Sequence, residues 1–429
     1  MKAPFSLGLY VFISKLFGWI YRPALMIRKW QGKEDASRIK ERFGHSEVQR
    51  PNGQLIWIHG ASVGESSLGL ALAHQIALQR PDISFLFTSG TISSAKMIAA
   101  RLGENQIHQF LPVDTPGSIY RFLDHWQPNL AILLESEIWP NLILRTAERN
   151  IPLALVNARM NERSRGNWSK KMKSAQILFG QFDWISAADQ ATADFLSQVT
   201  GQVPSLPGNL KMLPVPVGPP PAWLDELSQS LAGRPVWLGA STHEGEDKIL
   251  MQAHAPVLQE HKDALLIIAP RHPERAKSIA RLAGGRNLTH STWSKTGHAN
   301  ASVLIADTIG DMQSWLELAD IVFVGGSLGN GKGHNPLEAI RAKIPIISGS
   351  QVVSFAEIYA DLEQVGAVQL LNTAPKIASA VLTRLTNSGI TPAQVQAANG
   401  WLKQAENEIA GGVVGPLLSL LQGGPNAAP

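Results

Sequence analysis

One carboxylate, Glu65, stands where a short apolar run turns through glycines into residues with helical spacing. The run Leu55–Ile58 is typical of a strand buried in a parallel sheet, and apolar residues recur every three to four positions from Leu68 onward. The N-terminus of a helix carries partial positive charge, which favours an ionised acid that can take a proton from a substrate hydroxyl. Glu65 is therefore a candidate general base, although an acid at this position also suits a role as a helix cap.

Three more charged residues in the first half are candidates for chemistry. Glu135 and Glu137 follow a second apolar run and lie two residues apart, so both face one side if the strand continues. Such a pair can ligate a cation, bind sugar hydroxyls or orient a base, and it can equally bond the backbone of a loop. Lys211, within a proline-rich segment, could bind a phosphate at a hinge, but a lone lysine is usually a solvated surface residue.

Two segments of the second half contain residue types that bind anions. Arg271 follows the apolar run Leu265–Ala269, at the expected carboxyl end of a strand, where a guanidinium recognises phosphate. Five glycines within residues 325–333 let the backbone approach a ligand and present N–H groups to an anion. Pro336 then begins a predicted helix with Glu338 in its first turn, where this acid could accept hydrogen bonds from ribose hydroxyls.

Alternating strands and helices position these residues. Strands are predicted at 55–59, 84–88, 130–134, 152–156, 184–187, 235–239, 265–269, 302–306, 321–325, 344–348 and 367–371. Helical patterns lie between most of them, which predicts right-handed βαβ units in two doubly wound parallel sheets. Ligands bind at the carboxyl ends of such strands, here in a cleft between two domains. The short sequences Gly-Ala-Ser and Gly-Glu occur in both segment 60–65 and segment 239–246, which hints at a duplicated architecture.

The length and the prolines suggest the domain organisation. A chain of 429 residues suits two domains better than one core, and seven prolines between positions 204 and 221 predict a semi-rigid linker. We predict a membrane anchor helix at 1–30, a Rossmann-like domain at 31–205, a Pro-rich linker at 206–223, a second Rossmann-like domain at 224–410 and a tail at 411–429.

Composition excludes several kinds of chemistry. The chain has no cysteine, so disulfides, thiolate nucleophiles and Cys-based zinc sites are excluded. It has no HExxH motif, no paired-His spacing and no Asp-x-Asp pair, and we expect chemistry that needs no metal and no cofactor. Residues 1–42 carry nine Lys and Arg against three acids, whereas the remainder is slightly acidic, which argues against a nucleic-acid surface spread over the fold.

The basic N-terminus is also apolar over residues 4–21. Its apolar side chains favour insertion into a bilayer, but Lys15 near the centre costs roughly 2.5–3.5 kcal/mol, so spanning competes with lying in the interface. A buried N-terminal helix of a soluble protein is a third alternative. The basic residues that follow suit anionic headgroups on a cytoplasmic membrane surface.

Eight motifs, in order and at suitable distances, make the chain resemble the Kdo (3-deoxy-D-manno-octulosonic acid) transferases of lipopolysaccharide assembly. They are GASVGE (60–65), TSGT (88–91), ESEIWPN (135–141), NARMNERS (157–164), GNLK (208–211), STHEGE (241–246), APRHPER (269–275) and GHNPLEA (333–339). The resemblance implies an α/β fold of GT-B type, in which two Rossmann-like doubly wound parallel-sheet domains face a cleft and an N-terminal helix associates with the membrane. The first domain would bind the acceptor and the second the CMP-sugar donor.

The resemblance also implies roles for individual residues. Glu65 would be the general base on the acceptor hydroxyl, and Glu135 and Lys211 would support the transition state. The CMP-binding segments would be Pro270 and Arg271, then Gly310, Asp311 and Met312, then Asn335, Pro336, Leu337 and Glu338. The chain departs from the family pattern at residues 331–333, where Gly-Lys-Gly replaces Arg-Gly-Gly, and at 212–213, where Met-Leu replaces an aromatic residue and an Asp.

Together these implications form one functional hypothesis. The chain would transfer Kdo from CMP-Kdo to a lipid A precursor, lipid IVA, by inverting displacement at the cytoplasmic face of the inner membrane, with membrane lipids contacting the N-terminal segment. A single phosphate in the leaving group can be stabilised by Arg271, Lys211 and helix N-termini without a metal. Two alternatives stay open. One is an α/β-hydrolase-like esterase that uses Ser327 of a G-x-S-x-G pattern, and the other is a non-catalytic nucleotide-binding membrane module.

Overall fold

Two compact units make up the chain. The computed structural model describes residues 5–16, 18–216, 218, 220–387 and 393–423. One unit comprises Met1–Gly218 with Glu406–Pro429, and the other comprises Pro219–Ala405. Val217 and Pro219 of the predicted linker lie outside the described residues.

The first unit contains a six-stranded parallel sheet in the order β3-β2-β1-β4-β5-β6. Its strands are β1 (Leu55–His59), β2 (Ser84–Ser89), β3 (Gln106–Phe110), β4 (Leu130–Leu134), β5 (Leu153–Ala158) and β6 (Trp184–Ala187). Its helices are α1 (Phe5–Leu16), α2 (Tyr21–Trp30), α3 (Val63–Gln79), α4 (Ile92–Ala99), α5 (Pro116–Trp126), α6 (Pro140–Glu148), α7 (Glu162–Ser169), α8 (Met172–Phe179) and α9 (Gln190–Thr200). This strand order is that of a doubly wound dinucleotide-type sheet.

The second unit contains a seven-stranded parallel sheet in the order β13-β12-β11-β7-β8-β10-β9. Its strands are β7 (Val236–Thr242), β8 (Leu265–Pro270), β9 (His290–Thr292), β10 (Val303–Ile305), β11 (Ile321–Val324), β12 (Ile346–Ser348) and β13 (Val368–Leu370). Its helices are α10 (Trp223–Ser230), α11 (Glu246–Glu260), α12 (Ala276–Gly284), α13 (Trp293–Thr296), α14 (Met312–Glu317), α15 (Leu337–Arg341), α16 (Ala356–Gln364) and α17 (Ala374–Thr386). The last helix, α18 (Ala393–Gly423), begins in this unit and ends in the first.

The two tryptophans of the repeated pattern are buried at equivalent places. Trp57 of β1 and Trp237 of β7 are both 0% exposed. A buried indole N–H needs a hydrogen-bond partner. Trp57 donates to Thr88 Oγ1 at 2.9 Å, and Trp237 donates to His254 Nδ1 at 3.0 Å. Each central strand is thereby tied to a neighbouring element by a satisfied polar contact within the core.

The first 30 residues do not form the single anchor helix that the sequence predicts. A 3₁₀ turn at Gly18–Ile20 lies between α1 and α2, and residues 1–4 lie outside the described part. Tyr10 and Ser14, one helical turn apart, bond the first unit: the Tyr10 hydroxyl donates to Asp114 at 2.8 Å, and Ser14 Oγ accepts from Asn141 Nδ2 at 2.9 Å. These polar contacts dock α1 on the protein. Among the residues described, no helix combines the length and apolarity that crossing a bilayer requires.

The tail predicted at 411–429 is wrong over residues 411–423. These residues continue α18, and Val413, Val414 and Leu417 are 0% exposed in the first unit. Glycines and a proline in this segment lower its helix propensity, but the apolar face that it buries compensates for that loss. Residues 424–429 of the predicted tail lie outside the described residues.

Candidate active site

Glu65 caps the helix in which it stands. It occupies the first turn of α3 in a capping box with Ser62. The Glu65 carboxylate accepts from the Ala61 backbone N–H at 2.7 Å and from Ser62 Oγ at 2.9 Å. Gly60 allows this tight turn, because a Cβ there would lie 2.8 Å from the Glu65 Cβ. The side chain is half-buried, so one carboxylate both fixes the helix start and keeps access to solvent.

Glu135 lies at the end of the neighbouring strand, β4, in an unusual backbone conformation. Its φ is 54°, and that of Asn157 in β5 is 58°. Both values are in the left-handed region, which costs free energy for residues other than glycine. Asn157 Nδ2 donates to Glu135 Oε1 at 3.2 Å. This hydrogen bond links the two residues whose backbones are in the left-handed region. Since β1 and β4 are adjacent and parallel, Glu65 and Glu135 follow strand ends at the same edge of the sheet.

A hydrogen-bonded chain connects this edge with the core. Glu137 Oε2 accepts from Trp139 Nε1 at 2.7 Å and lies 3.1 Å from Nε2 of His59, which is fully buried. His59 Nδ1 lies 3.0 Å from Thr88 Oγ1, which accepts from Trp57. Burial alone would raise the pKa of Glu137, but the hydrogen bonds from His59 and Trp139 outweigh it and lower that pKa.

The role of Glu137 was open from the sequence alone, and His59 was not among the predicted site residues. The available signal was a histidine ending a buried strand directly before GASVGE. A buried histidine needs partners for both ring nitrogens, and the second partner, Glu137, is 78 positions away in the chain. The contact depends on β1 and β4 being neighbours, which the sequence alone does not specify.

Lys211 is exposed but held by its neighbours. It lies in the 3₁₀ turn Leu210–Met212, between buried Leu210 and Met212, and the Asn209 side chain caps the turn by accepting from the Lys211 N–H at 3.1 Å. Within the described ranges Lys211 forms no ion pair. The buried Met212 and Leu213 are the positions at which the chain departs from the family pattern, and there they serve as core residues.

Arg271 and three histidines gather at the carboxyl edge of the second sheet. Arg271 follows β8 with its side chain exposed, and its backbone N–H donates to the carbonyl of Thr242 at 3.0 Å. His243 Nε2 lies 2.9 Å from His334 Nε2, and the His243 and His272 rings are 6.2 Å apart. Burial, followed by the nearby charges of His243 and Arg271, lowers the pKa of His334. This edge therefore presents the exposed guanidinium of Arg271 beside three imidazole rings.

The glycine-rich loop does bind an anion, but the anion belongs to the protein. The Glu246 carboxylate, 1% exposed, accepts from the backbone N–H groups of Gly326 (2.7 Å), Ser327 (2.8 Å) and Leu328 (2.9 Å). It also accepts from the His243 N–H at 2.7 Å. For these three N–H groups of the loop, the expectation that they face a ligand is wrong, because an internal carboxylate already satisfies them.

The hydrolase alternative is also wrong. Ser327 is fully buried, its Oγ donates to the carbonyl of Val324 at 2.7 Å, and it accepts from the Gly349 N–H at 2.8 Å. A nucleophile elbow exposes its serine at the start of a helix. Here the next helix, α15, begins only at Leu337, and the nearby His334 contacts His243 instead.

The other residues predicted to bind the CMP-sugar donor follow strands at the same edge of the second sheet. Gly310, with a φ of 99°, and Asp311 precede Met312, the first residue of α14. Asn335 Oδ1 accepts from the Leu337 N–H at 3.1 Å, Pro336 is the N-cap of α15, and Glu338 lies exposed in its first turn. Because β11, β7, β8 and β10 are consecutive in the sheet, these segments share one edge with Arg271. In the described part of the chain, no group of three or more His, Asp or Glu side chains could hold a metal ion.

Comparison with known proteins decides the family. Residues 37–213 match the family model of 3-deoxy-D-manno-octulosonic-acid transferase (kdotransferase). The 3-deoxy-D-manno-octulosonic acid transferase of Haemophilus influenzae is 34% identical over 365 residues, which cover 82% of this chain and 84% of that protein. The chain belongs to the Kdo transferase family. The predicted family and the prediction of a glycosyltransferase are confirmed.

Two solved structures are similar to this Kdo transferase family member. One is UDP-GlcNAc 2-epimerase from Neisseria meningitidis bound to UDP-GlcNAc, with 13% identity and a TM-score of 0.50, covering 86% of this chain and 99% of that one. It shows the fold, and the predicted class of two doubly wound parallel α/β domains of GT-B type is confirmed. The other is the C-terminal CMP-Kdo binding domain of WaaA from Acinetobacter baumannii, with 30% identity and a TM-score of 0.40, covering 43% of this chain and 98% of that domain.

Proposed function

We propose that this Kdo transferase moves Kdo from CMP-Kdo to a lipid A precursor, lipid IVA. The observation that carries the proposal is the half-buried Glu65 carboxylate at the carboxyl edge of the first sheet, in a family whose members transfer this sugar. A carboxylate that is fixed by a capping box and still reaches solvent can accept a proton from a hydroxyl placed against it. Glu135, the neighbour at the same edge, would position the acceptor or support the transition state.

The proposed reaction is a single displacement. A hydroxyl oxygen of the acceptor attacks the anomeric carbon of Kdo while Glu65 takes its proton. The bond between that carbon and the phosphate oxygen breaks, CMP leaves with the electron pair, and the configuration inverts. The negative charge that develops on the leaving phosphate would be stabilised by the guanidinium of Arg271 and the ammonium of Lys211, both of which are exposed.

The second unit would bind the donor. Pro270 ends β8, and Arg271, the segment 310–312 and the segment 335–338 follow strands at the same edge of the sheet. The exposed Glu338 and the short helix starts at Met312 and Leu337 offer hydrogen-bonding groups for a nucleotide. The glycine loop would contribute by its shape, since Glu246 occupies three of its N–H groups.

We also propose that the enzyme works at the cytoplasmic face of the inner membrane. The acceptor is an amphiphile, so the enzyme gains from residence at a lipid surface. Large apolar side chains on the N-terminal helices are exposed, among them Phe12 (60%), Trp19 (65%) and Trp30 (82%). The surrounding segment is strongly basic. This combination is typical of helices that lie in a membrane interface.

The proposal is tested by mass spectrometry of lipid IVA incubated with the full chain and freshly generated CMP-Kdo. The expected result is an acceptor heavier by one or more Kdo residues, with release of CMP. Acceptor of unchanged mass, with CMP bound by a folded protein, would overturn the proposal in favour of the nucleotide-binding membrane module.

A further inference from the structure

A basic cavity of about 900 Å³ lies within the first unit, beside the N-terminal helices. It is bounded by α1, the turn after it, α2, the N-terminal half of α5 and Arg145 in the last turn of α6. Four cationic side chains line it, from Lys15, Arg22, Arg121 and Arg145, and no acidic residue is among its lining residues. A cavity with this lining attracts an anion.

Most of this positive charge is not neutralised by the protein. Arg145 pairs with Glu148 outside the cavity lining. Arg121 Nε donates to the Phe43 carbonyl at 2.8 Å, a contact that leaves its charge uncompensated. Lys15 and Arg22 form no ion pair with any residue that the structure describes. Three cations facing a partly enclosed space interact with an anion more strongly than they would in open water.

The N-terminus of α5 adds to the positive potential in the cavity. Residues 115–118, at the N-terminus of the 11-residue α5, line the same cavity. The first turn of a helix carries partial positive charge, which favours phosphate. The cationic side chains and the N-terminus of α5 therefore both attract an anionic ligand.

The cavity also has an apolar side. Phe12 and Trp19 line it and are 60% and 65% exposed. Ile13, Leu16 and Ile20 continue this exposed apolar surface along the same helices, at 45%, 53% and 45% exposure. A contiguous apolar patch beside a cationic cavity suits a ligand with one anionic end and one hydrocarbon end. A free nucleotide or inorganic phosphate would leave the apolar side unused.

We infer that this cavity binds the phosphate of an anionic amphiphile, whose hydrocarbon chains lie against Phe12 and Trp19. The inference deepens the proposed function, since it rests on the proposal that the enzyme works at a lipid surface. The phosphate can come from a bulk anionic phospholipid or from a phosphorylated lipid acceptor. Both present the same headgroup chemistry to Lys15 and Arg22.

The test compares two double variants of the full chain with equal net charge. Lys15→Gln with Arg22→Gln removes two cavity cations that form no ion pair with a described residue, whereas Lys29→Gln with Lys33→Gln removes two cations of the same region outside the cavity lining. Binding is measured by co-flotation with phosphatidylcholine vesicles with and without phosphatidylglycerol. Loss of the diffuse electrostatic attraction to the anionic membrane should weaken vesicle binding of both variants by a similar factor. The cavity variant is expected to bind phosphatidylglycerol vesicles about tenfold more weakly than the control variant.

A second arm identifies the source of the phosphate. Kdo transfer is assayed with lipid acceptor in neutral detergent micelles, where no bulk anionic lipid is present. A raised KM with unchanged kcat in the cavity variant assigns the site to the acceptor, and an unchanged KM together with the vesicle defect assigns it to bulk lipid. Equal behaviour of the two double variants in both arms would overturn the inference. Vesicle binding needs no transfer, so loss of the cavity effect and absence of Kdo transfer are separate results.

Discussion

Glu65 and Glu246 hold equivalent positions, each in the first turn of the helix that follows the first strand of its unit. Each carboxylate accepts a hydrogen bond from a backbone N–H group of the turn that precedes its helix. They differ in what surrounds them. Glu65 is half-buried, and among the described residues its carboxylate bonds only its own turn, whereas Glu246 is 1% exposed and also binds a loop 80 residues further along. One sequence pattern thus provides an accessible carboxylate in the first unit and a structural one in the second.

The Glu65→Gln variant is expected to slow Kdo transfer by about 10²–10⁴-fold, which corresponds to roughly 3–5 kcal/mol of activation free energy. Glutamine still accepts a hydrogen bond at this position of a capping box, so the helix start is kept while the base is lost. The rate is measured by mass spectrometry of the acceptor, and thermal unfolding reports the fold. Glu104→Gln, an exposed acid of the same unit, is the matched control. A Glu65→Gln enzyme that is folded and retains most of its activity would contradict the proposed role.

The Glu246→Gln variant is expected to destabilise the second unit. The carboxylate accepts four backbone N–H bonds, but an amide has one oxygen and would turn its NH₂ toward N–H donors. Buried donors without acceptors should lower the free energy of unfolding by at least about 1–3 kcal/mol. Urea unfolding measures the loss. Glu244→Gln, an exposed acid two positions earlier, should change it little, and equal stability of the two variants would refute the structural role.

The Glu137→Gln variant should lower stability in a pH-dependent way. Burial alone would raise the pKa of Glu137, but the hydrogen bonds from His59 and Trp139 outweigh this effect, so that the folded-state pKa is below the ordinary value of 4.5. A lowered folded-state pKa contributes stability above the unfolded-state value, and this contribution is lost as the pH falls through the folded-state value. The stability gap between wild type and variant in urea unfolding should therefore shrink as the pH falls below about 4.5. A gap that widens on acidification would show that the charge is not stabilised.

His108 should make the first unit sensitive to mild acid. Burial, with the nearby charges of Arg38 and Arg42, lowers the pKa of His108 from 6.5 to about 3. Between these pH values the unfolded chain binds a proton that the folded protein excludes, so stability falls as the pH falls through this window. The His108→Gln variant should lose less stability than wild type between pH 6.5 and pH 4, whereas His45→Gln, at an exposed position, should match wild type. NMR titration of the ring checks this directly, since His108 protonation near pH 6 would contradict the expected shift.

Hydrophobic periodicity was enough to predict most of the fold. All eleven predicted strands are present, with ends shifted by up to three residues. The two strands that were missed, β3 and β9, are edge strands with polar residues. An edge strand buries less of its surface, so its sequence carries a weaker apolar signal.

The contacts of the candidate site were predictable only in part. Glu65 could be placed at a helix start because capping is a local interaction, readable within six residues. Glu246 could not be recognised as the anion of the glycine loop, because its partners lie 80 to 82 positions away. Tyr10 lies in the segment predicted to associate with the membrane, and its hydrogen bond to Asp114, 104 positions away, could not be predicted from apolar composition.

The path of α18 has a consequence for synthesis of the chain. Val413, Val414 and Leu417 complete the core of a unit whose other segment, Met1–Gly218, precedes the second unit in the chain. During translation, the ribosome must therefore make the whole of the second unit before the first can close its core. Until then, part of the apolar surface of the nascent first unit is exposed. Chaperone binding during this interval would protect the first unit from aggregation.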